Sequence, residues 1–419
     1  MLKTSPTTAA WKTLFEKFPI EEKTAQEGFF RLTADQIRKT GREPRLMTKF
    51  DSRDQRPKPL IKAGITILPT SNGEYALLKG DGYASVPQVQ EVESYDAGKI
   101  AALETIQWRD GIRGESQAID TLFMASALKK FVDDKDLQLT MRGRLRSSRF
   151  QFTFKSDVKP IEITVDGVQI EVDAGFEGKK VVILEAKFGS LEDFIVRQLY
   201  YPYRNLLELG VKKQIIPILL TYSNRVYSLY QFEFSDTDLY QTHLVRQKHY
   251  TLEELKPIPR FADVSPKKMQ EIPATGTPFP QADDLSKVFD VTDLLLAGPM
   301  RKEEVAAGFD VDPRQGDYYG NAAAWFGLAK KKNHQFVLTD DGLRFSKMNR
   351  TDRIVEIARR LKALPAFSET ANEAVKGQAL PQREIAAIIS RKYGLTGTTP
   401  LRRASTVRAW INWLSRELR

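Results

Sequence analysis

The stretch VQIEVDAGFEGKKVVILEAKFG, Val168 to Gly189, decides the fold of this chain. Val168, Ile170 and Val172 alternate with Gln169, Glu171 and Asp173, the period of a strand with one buried face, so Glu171 and Asp173 share the other face. A turn is expected at Glu177-Gly178-Lys179. The run VVILEAK then reads as a second, more buried strand on which Glu185 and Lys187, two apart, point the same way. Eleven residues lie between Asp173 and Glu185, about enough to leave one strand, turn and return beside it. The hairpin therefore predicts Asp173, Glu185 and Lys187 together at one edge of a sheet.

Outward from this hairpin the pattern is α/β. Upstream, ESQAIDTLFMASALKKFV places Ala118, Leu122, Ala125 and Leu128 or Lys129 at helical spacing, followed by strand-like FQFTF and IEITV. Downstream, DFIVRQLYYPYRNLLELG reads as a helix capped by Gly210, and IIPILLTYS as the next strand. This order predicts a central mixed sheet flanked by helices, with Tyr200, Tyr201 and Tyr203 packing the helix onto the sheet.

Two carboxylates and a lysine on adjacent strands suit phosphodiester hydrolysis. Carboxylates hold one or two Mg²⁺ ions, which activate water and stabilise the attacking and leaving oxygens. A neighbouring lysine orients or deprotonates that water and offsets phosphate charge. A buried Glu-x-Lys is costly unless the charges serve each other or a metal.

Asp173 with Glu185-Ala186-Lys187 resembles the motif of the PD-(D/E)xK nuclease superfamily, and residues from about Gly114 to Tyr227 look like the core of a type II restriction endonuclease. Val172 stands where the usual motif has a proline. The resemblance implies a restriction-endonuclease-like core, Mg²⁺ held by Asp173 and Glu185, and double-stranded DNA as substrate. It also implies roles for Glu115, where many members carry a further acidic residue, and for Gln198, on the helix after the lysine strand. MRGRLRSSRFQFTF looks like the basic strand that precedes the metal site in such sequences. Many type II enzymes act as homodimers, since cutting both strands needs two sites, and a homodimer is the expectation here.

Four regions are expected. Residues 1–86 form an N-terminal region with a helical start and a hairpin turning at Ser71-Asn72-Gly73, and residues 87–254 form the nuclease domain. Residues 255–282, with six prolines, read as a linker or extended connection. Residues 283–419 show three helices, a hairpin at KKKNHQFVLTDDG and two further helices, the pattern of a winged-helix/helix-turn-helix region. In the last helix Val407, Trp410, Ile411, Leu414 and Leu418 form one face, and Arg408, Asn412, Ser415 and Arg416 the other.

Composition narrows the chemistry. The 419 residues include no cysteine, which excludes disulfides, thiol nucleophiles and zinc fingers, and only three histidines, so a catalytic metal should be a hard cation on carboxylate oxygens. A formal charge of +10 favours an anionic partner. The excess is uneven: from Gln281 onward there are 23 Lys and Arg against 17 Asp and Glu. No window approaches the roughly 18 apolar residues of a membrane span, and the N-terminus has no signal-peptide pattern, so a soluble, cytoplasmic protein is expected.

Candidate DNA contacts are Arg142, Arg144, Arg146 and Arg149 near the metal site, Arg45 and Lys49 in the N-terminal region, Lys331 in the hairpin, and Arg402, Arg403 and Arg408 near the C-terminus. Arg53 and Arg56 cluster with Asp51 in a turn-rich segment that reads either as a base-contacting loop or as a solvated one. Two further readings stay open. One is an endonuclease that cuts only modified, for instance methylated, DNA. The other is a winged-helix transcriptional regulator, which leaves the Glu-x-Lys strand unexplained.

Overall fold

In the computed structural model of the chain, the decisive stretch folds as two antiparallel neighbours, Gln169–Glu177 and Val181–Phe188. The structure describes residues 5–106, 111–234, 236, 239–267 and 277–418. The second strand is apolar on both faces because both are covered. Val182, Leu184 and Ala186 enter one core, and Val181 and Ile183 another. On that second face the period-2 pattern then turns from apolar to charged, at Glu185 and Lys187.

These strands belong to a seven-stranded mixed sheet. Its order is Glu93–Ser94, His243–Thr251, Val226–Glu233, Ile215–Ser223, Val181–Phe188, Gln169–Glu177 and Gln138–Arg146. Val181–Phe188 runs parallel to Ile215–Ser223, and the helix Arg197–Glu208 makes the crossover that parallel neighbours require. This helix covers the Val181/Ile183 face, and the helix Glu115–Met124 the other. The expected 115–132 helix is two, Glu115–Met124 and Ala127–Val132, broken where Ser126 takes a left-handed φ of 64°. FQFTF and IEITV pair with each other in a separate two-stranded sheet rather than joining the central one.

Residues 6–79 form short helices around a three-stranded sheet, Phe29–Thr33, Glu74–Lys79 and Ile65–Ser71. One side of its hairpin (Ile67, Leu77) closes a small core, while Leu68, Ala76 and Leu78 join the core of the seven-stranded sheet. The N-terminal unit is thus plastered onto the sheet.

The C-terminal region opens with Leu285–Leu294, Met300–Arg301, Lys302–Gly308, Pro313–Trp325, Ala329–Lys332 and Gln335–Leu338, a helix-strand-helix-helix-strand-strand order. The last two strands turn at Asn333 and His334, both with positive φ, as a tight two-residue hairpin turn requires. Five more helices follow: Asp340–Ser346, Arg350–Lys362, Pro365–Val375, Gln382–Tyr393 and Thr399–Glu417. Sequence reasoning found only the last two. Of the first three, Arg350–Lys362 was hidden because buried Arg353, Glu356 and Arg360 interrupt its apolar stripe.

The expectation of a linker over 255–282 is corrected. Phe261, Val264, Phe279 and Ala282 are buried in the same core as the sheet and the C-terminal helices, and Lys362 Nζ donates to the carbonyls of Phe261 and Val264, both at 2.8 Å. Its described residues are a strap, not a tether. Among the described residues no helix is long and apolar enough to cross a membrane.

Candidate active site

The strand pairing near Asp173 is irregular, and that irregularity builds the site. The ladder between the two strands ends at Leu184 opposite Ala174. On the other side the register shifts between Met141, opposite Gly175, and Gly143, opposite Val172. Such bulges re-aim side chains. Asp173 Oδ2 accepts the Ala186 N–H at 2.8 Å, taking the place of a ladder carbonyl. The site therefore lies where two interior strands part, not at a lateral edge of the sheet as expected.

Beside Asp173, Glu185 is buried, and its Oε1 receives Lys187 Nζ at 2.9 Å and Gln198 Nε2 at 2.5 Å. Gln198 reaches it from the first turn of the crossover helix, and its own Oε1 is buried without a partner. Glu115 stands at the first position of its helix and senses both Lys187 and Asp173. The five positions expected from the sequence thus converge.

The electrostatics are those of carboxylates short of cations. Burial, helped by Asp173 and Asp51 against the pull of Lys187, pushes Glu185 up to about 8. Burial pushes Glu115 up to about 7, opposed by Lys187, and raises Asp173 against the Ala186 N–H and Lys187. Burial alone would discharge Lys187, but Glu185, Asp51, Glu115 and Asp310 outweigh it and hold the ammonium charged.

Asp51 and Asp310 were not assigned to the site from sequence. Asp51 comes from the N-terminal unit and Asp310 from the turn between Lys302–Gly308 and Pro313–Trp325, and they lie 3.9 and 4.0 Å from Lys187 Nζ. Asp51 is only 4% exposed, and no N–H donor hydrogen-bonds its oxygens. Lys49 stands 3.4 Å and Arg197 4.0 Å away. Burial works against the charge on Asp51, but Lys187, a hydrogen bond shared with Asp310, Lys49 and Arg197 hold it down to about 2. Asp310 is pushed up to about 6 by burial and by Asp51. No local pattern marks either residue.

A cleft of about 510 Å³ opens over these groups, floored by Asp173, Glu185 and Lys187. Arg45 and Lys49 of the N-terminal unit, Arg144 of the basic strand, and Arg197 line its walls. Arg142, Arg144 and Arg146 alternate on one exposed strand face, with Arg142 ion-paired to Asp120 at 2.6 Å and Arg144 to Glu171 at 3.6 Å. Arg149 is not brought to the cleft. It borders a separate shallow depression with Phe150 and Arg204. Arg53 and Arg56 anchor the N-terminal unit: Arg53 pairs with Asp81 and Asp193, and Arg56 bonds the Ile65 carbonyl and covers the Tyr83 ring.

Lys331 is exposed on the hairpin and paired with Asp317 at 2.9 Å. Arg402 is exposed and Arg403 half-buried, while Arg408 donates to the Leu380 carbonyl at 3.2 Å and so helps hold the helices together. Tyr200 and Tyr201 are buried against Phe150 and Phe152, and Trp410 is a core residue.

The donor chemistry fits Mg²⁺. It prefers oxygen ligands, often takes one or two carboxylates, and fills the remaining positions with water. Asp173 and Glu185 offer such carboxylates, and Gln198 Oε1 beside them is buried without a hydrogen-bond donor. Among the described residues no group of three or more metal-ligating side chains forms a ready-made cage. Among curated proteins and among solved structures nothing matches the chain. Three family models match successive parts of it, each described as a domain of unknown function: DUF6996 over residues 8–77, DUF6997 over 78–251 and DUF7226 over 287–419.

Proposed function

We propose that this chain is a Mg²⁺-dependent endonuclease of the PD-(D/E)xK type that cuts double-stranded DNA at specific sequences, as type II restriction endonucleases do. The observation that carries the reading is the convergence of Asp173, Glu185 and a charged Lys187 on the floor of a cleft with cationic walls. A bound Mg²⁺ would lower the pKa of a water ligand and stabilise charge on the attacking and leaving oxygens. Asp173 and Glu185 would hold it. Lys187 faces the phosphate as a fixed positive charge, since its surrounding carboxylates keep it protonated. Gln198 fixes the orientation of Glu185, and the Ala186 N–H that of Asp173. Arg45, Lys49, Arg144 and Arg197 bind backbone phosphates without reading sequence.

For the sequence reader we propose the winged-helix reading of residues 285–338. Its element order supports this, with Pro313–Trp325 as the helix in the major groove and Lys330, Lys331 and Lys332 on the wing. Arg314 and Gln315 are exposed near its start and are of the types that bond base edges. Replacing both by alanine should relax base preference by about 5- to 150-fold at the positions they read, measured by sequencing the cut ends. Cutting both strands calls for two such sites, so a pair of chains acts together.

The first test is incubation of the purified protein with methylated and unmethylated plasmid or phage DNA, with Mg²⁺ or with EDTA, read on a gel. Discrete Mg²⁺-dependent fragments are expected. If only methylated DNA is cut, the enzyme is modification-dependent. Binding without breakage of any substrate would sink the endonuclease and favour a regulator.

A further inference from the structure

Lys187 sits between two sets of carboxylates that differ in origin. On one side is Glu185, two residues away on its own strand, at 2.9 Å. On the other are Asp51 at 3.9 Å and Asp310 at 4.0 Å, carried by the N-terminal unit and by the C-terminal region. Glu115 adds its charge at longer range, and Lys49 and Arg197 face Asp51 from beyond. In the arrangement seen, the ammonium is paired with Glu185 Oε1, an oxygen of the carboxylate that the proposed metal site would also use.

The arrangement around Asp51 and Asp310 is built at a cost. Asp51 is buried with no N–H donor on its oxygens and shares a hydrogen bond with Asp310. Asp310 adopts a left-handed φ of 51°, uncommon for a residue with a side chain. It is held there from both sides. Gln55 of the N-terminal unit donates to its carbonyl, and its neighbour Phe309 stacks on Phe188, the residue after Lys187, at 5.9 Å. Ser190 meets Asp284, and the core runs unbroken from the sheet into these helices. A costly, over-determined geometry beside a reactive centre is the usual mark of function.

We infer that Asp51 and Asp310 are positioning residues that receive Lys187 when Glu185 is given over to the metal, so that both flanking regions complete the catalytic site. The inference rests on the proposed metal site. With the second acceptor in place, Lys187 moves by little more than the difference between its two contacts and stays charged at the cleft. Without it, the ammonium's remaining close partner is Glu185, and it competes with the cation for that carboxylate.

The test is a double-mutant cycle read by calorimetric binding of Mn²⁺ to the full-length protein without DNA. Asp51→Asn and Asp310→Asn should each weaken Mn²⁺ binding about 10-fold, the lower end of what outer-shell changes cost. In a Lys187→Ala background, where nothing competes, either substitution should change the affinity less than about 2-fold. A direct effect of the lost carboxylate on the ion would persist in that background and overturns the inference, as does unchanged affinity in the single variants. Absence of Mn²⁺ binding by the wild-type protein overturns the metal site itself and the inference with it. Asp310 is 42% exposed, so its variant reports even if Asp51→Asn fails to fold.

Discussion

Glu185→Gln is expected to lower the rate of Mg²⁺-dependent DNA cleavage by at least about 10³-fold, the scale on which removal of one charge-stabilising group acts at such centres. The substitution keeps the side chain's shape. Gln198 Nε2, at 2.5 Å from Oε1, retains a carbonyl acceptor. What is lost is the charge that would hold the proposed cation and that pairs with Lys187 at 2.9 Å. DNA affinity, measured with Ca²⁺ in place of Mg²⁺, should stay within about 3-fold, because under the proposed function it comes from phosphate contacts along the cleft walls. The fold should not suffer, since burial disfavours the charged form of Glu185, pushed up to about 8, and a neutral amide relieves that cost. Cleavage at the wild-type rate by the variant would sink the assignment of the site.

Asp293→Ala should destabilise the protein by about 3–5 kcal/mol, the cost of leaving a buried charge unpaired. Asp293 and Arg353 are both 0% exposed and joined by two hydrogen bonds of 2.7 and 2.8 Å. Arg353 also donates to the carbonyls of Ser346 and Met348, so the guanidinium ties the helix Leu285–Leu294 to the turn after Asp340–Ser346. Asp293 in turn lies against Gly111, where an added Cβ would come within 2.8 Å of its carboxylate. Gly111 leads into the helix that carries Glu115. The double replacement Asp293→Leu with Arg353→Met removes both charges and should recover much of the loss. Denaturant midpoints of the two variants against the wild type measure this. A loss below about 1 kcal/mol for Asp293→Ala would mean that the pair contributes little beyond its packing.

Other buried polar contacts tie the same two regions. Ser223 Oγ and the Asn224 N–H hold Asp290 at 2.6 and 2.7 Å, at the end of the strand next to that of Glu185. The C-terminal region is therefore not an independent reader on a flexible connection. Its first helix packs against the seven-stranded sheet, and the turn that follows its second reaches Lys187.

The sequence by itself determined the strand pair, the shared face of Glu185 and Lys187, the approach of Asp173 across the hairpin, and the helix that brings Gln198. Each depends on a period of two or of 3.6 within one element, or on the length of one turn, and such patterns are written locally. The three helices and hairpin after residue 282 were legible for the same reason, whereas Glu115 was singled out only by the family resemblance. The helix Arg350–Lys362 was not legible, because its stripe is completed by buried ion pairs rather than by apolar residues alone. Only the tertiary structure decided that residues 255–267 and 277–282 are a packed strap, that Arg149 turns away from the cleft, and that Asp51 and Asp310 flank Lys187. No periodicity announces that two carboxylates far apart in the chain will share one ammonium. Their meeting follows from how three regions bury apolar surface against one another, a property of the packed whole.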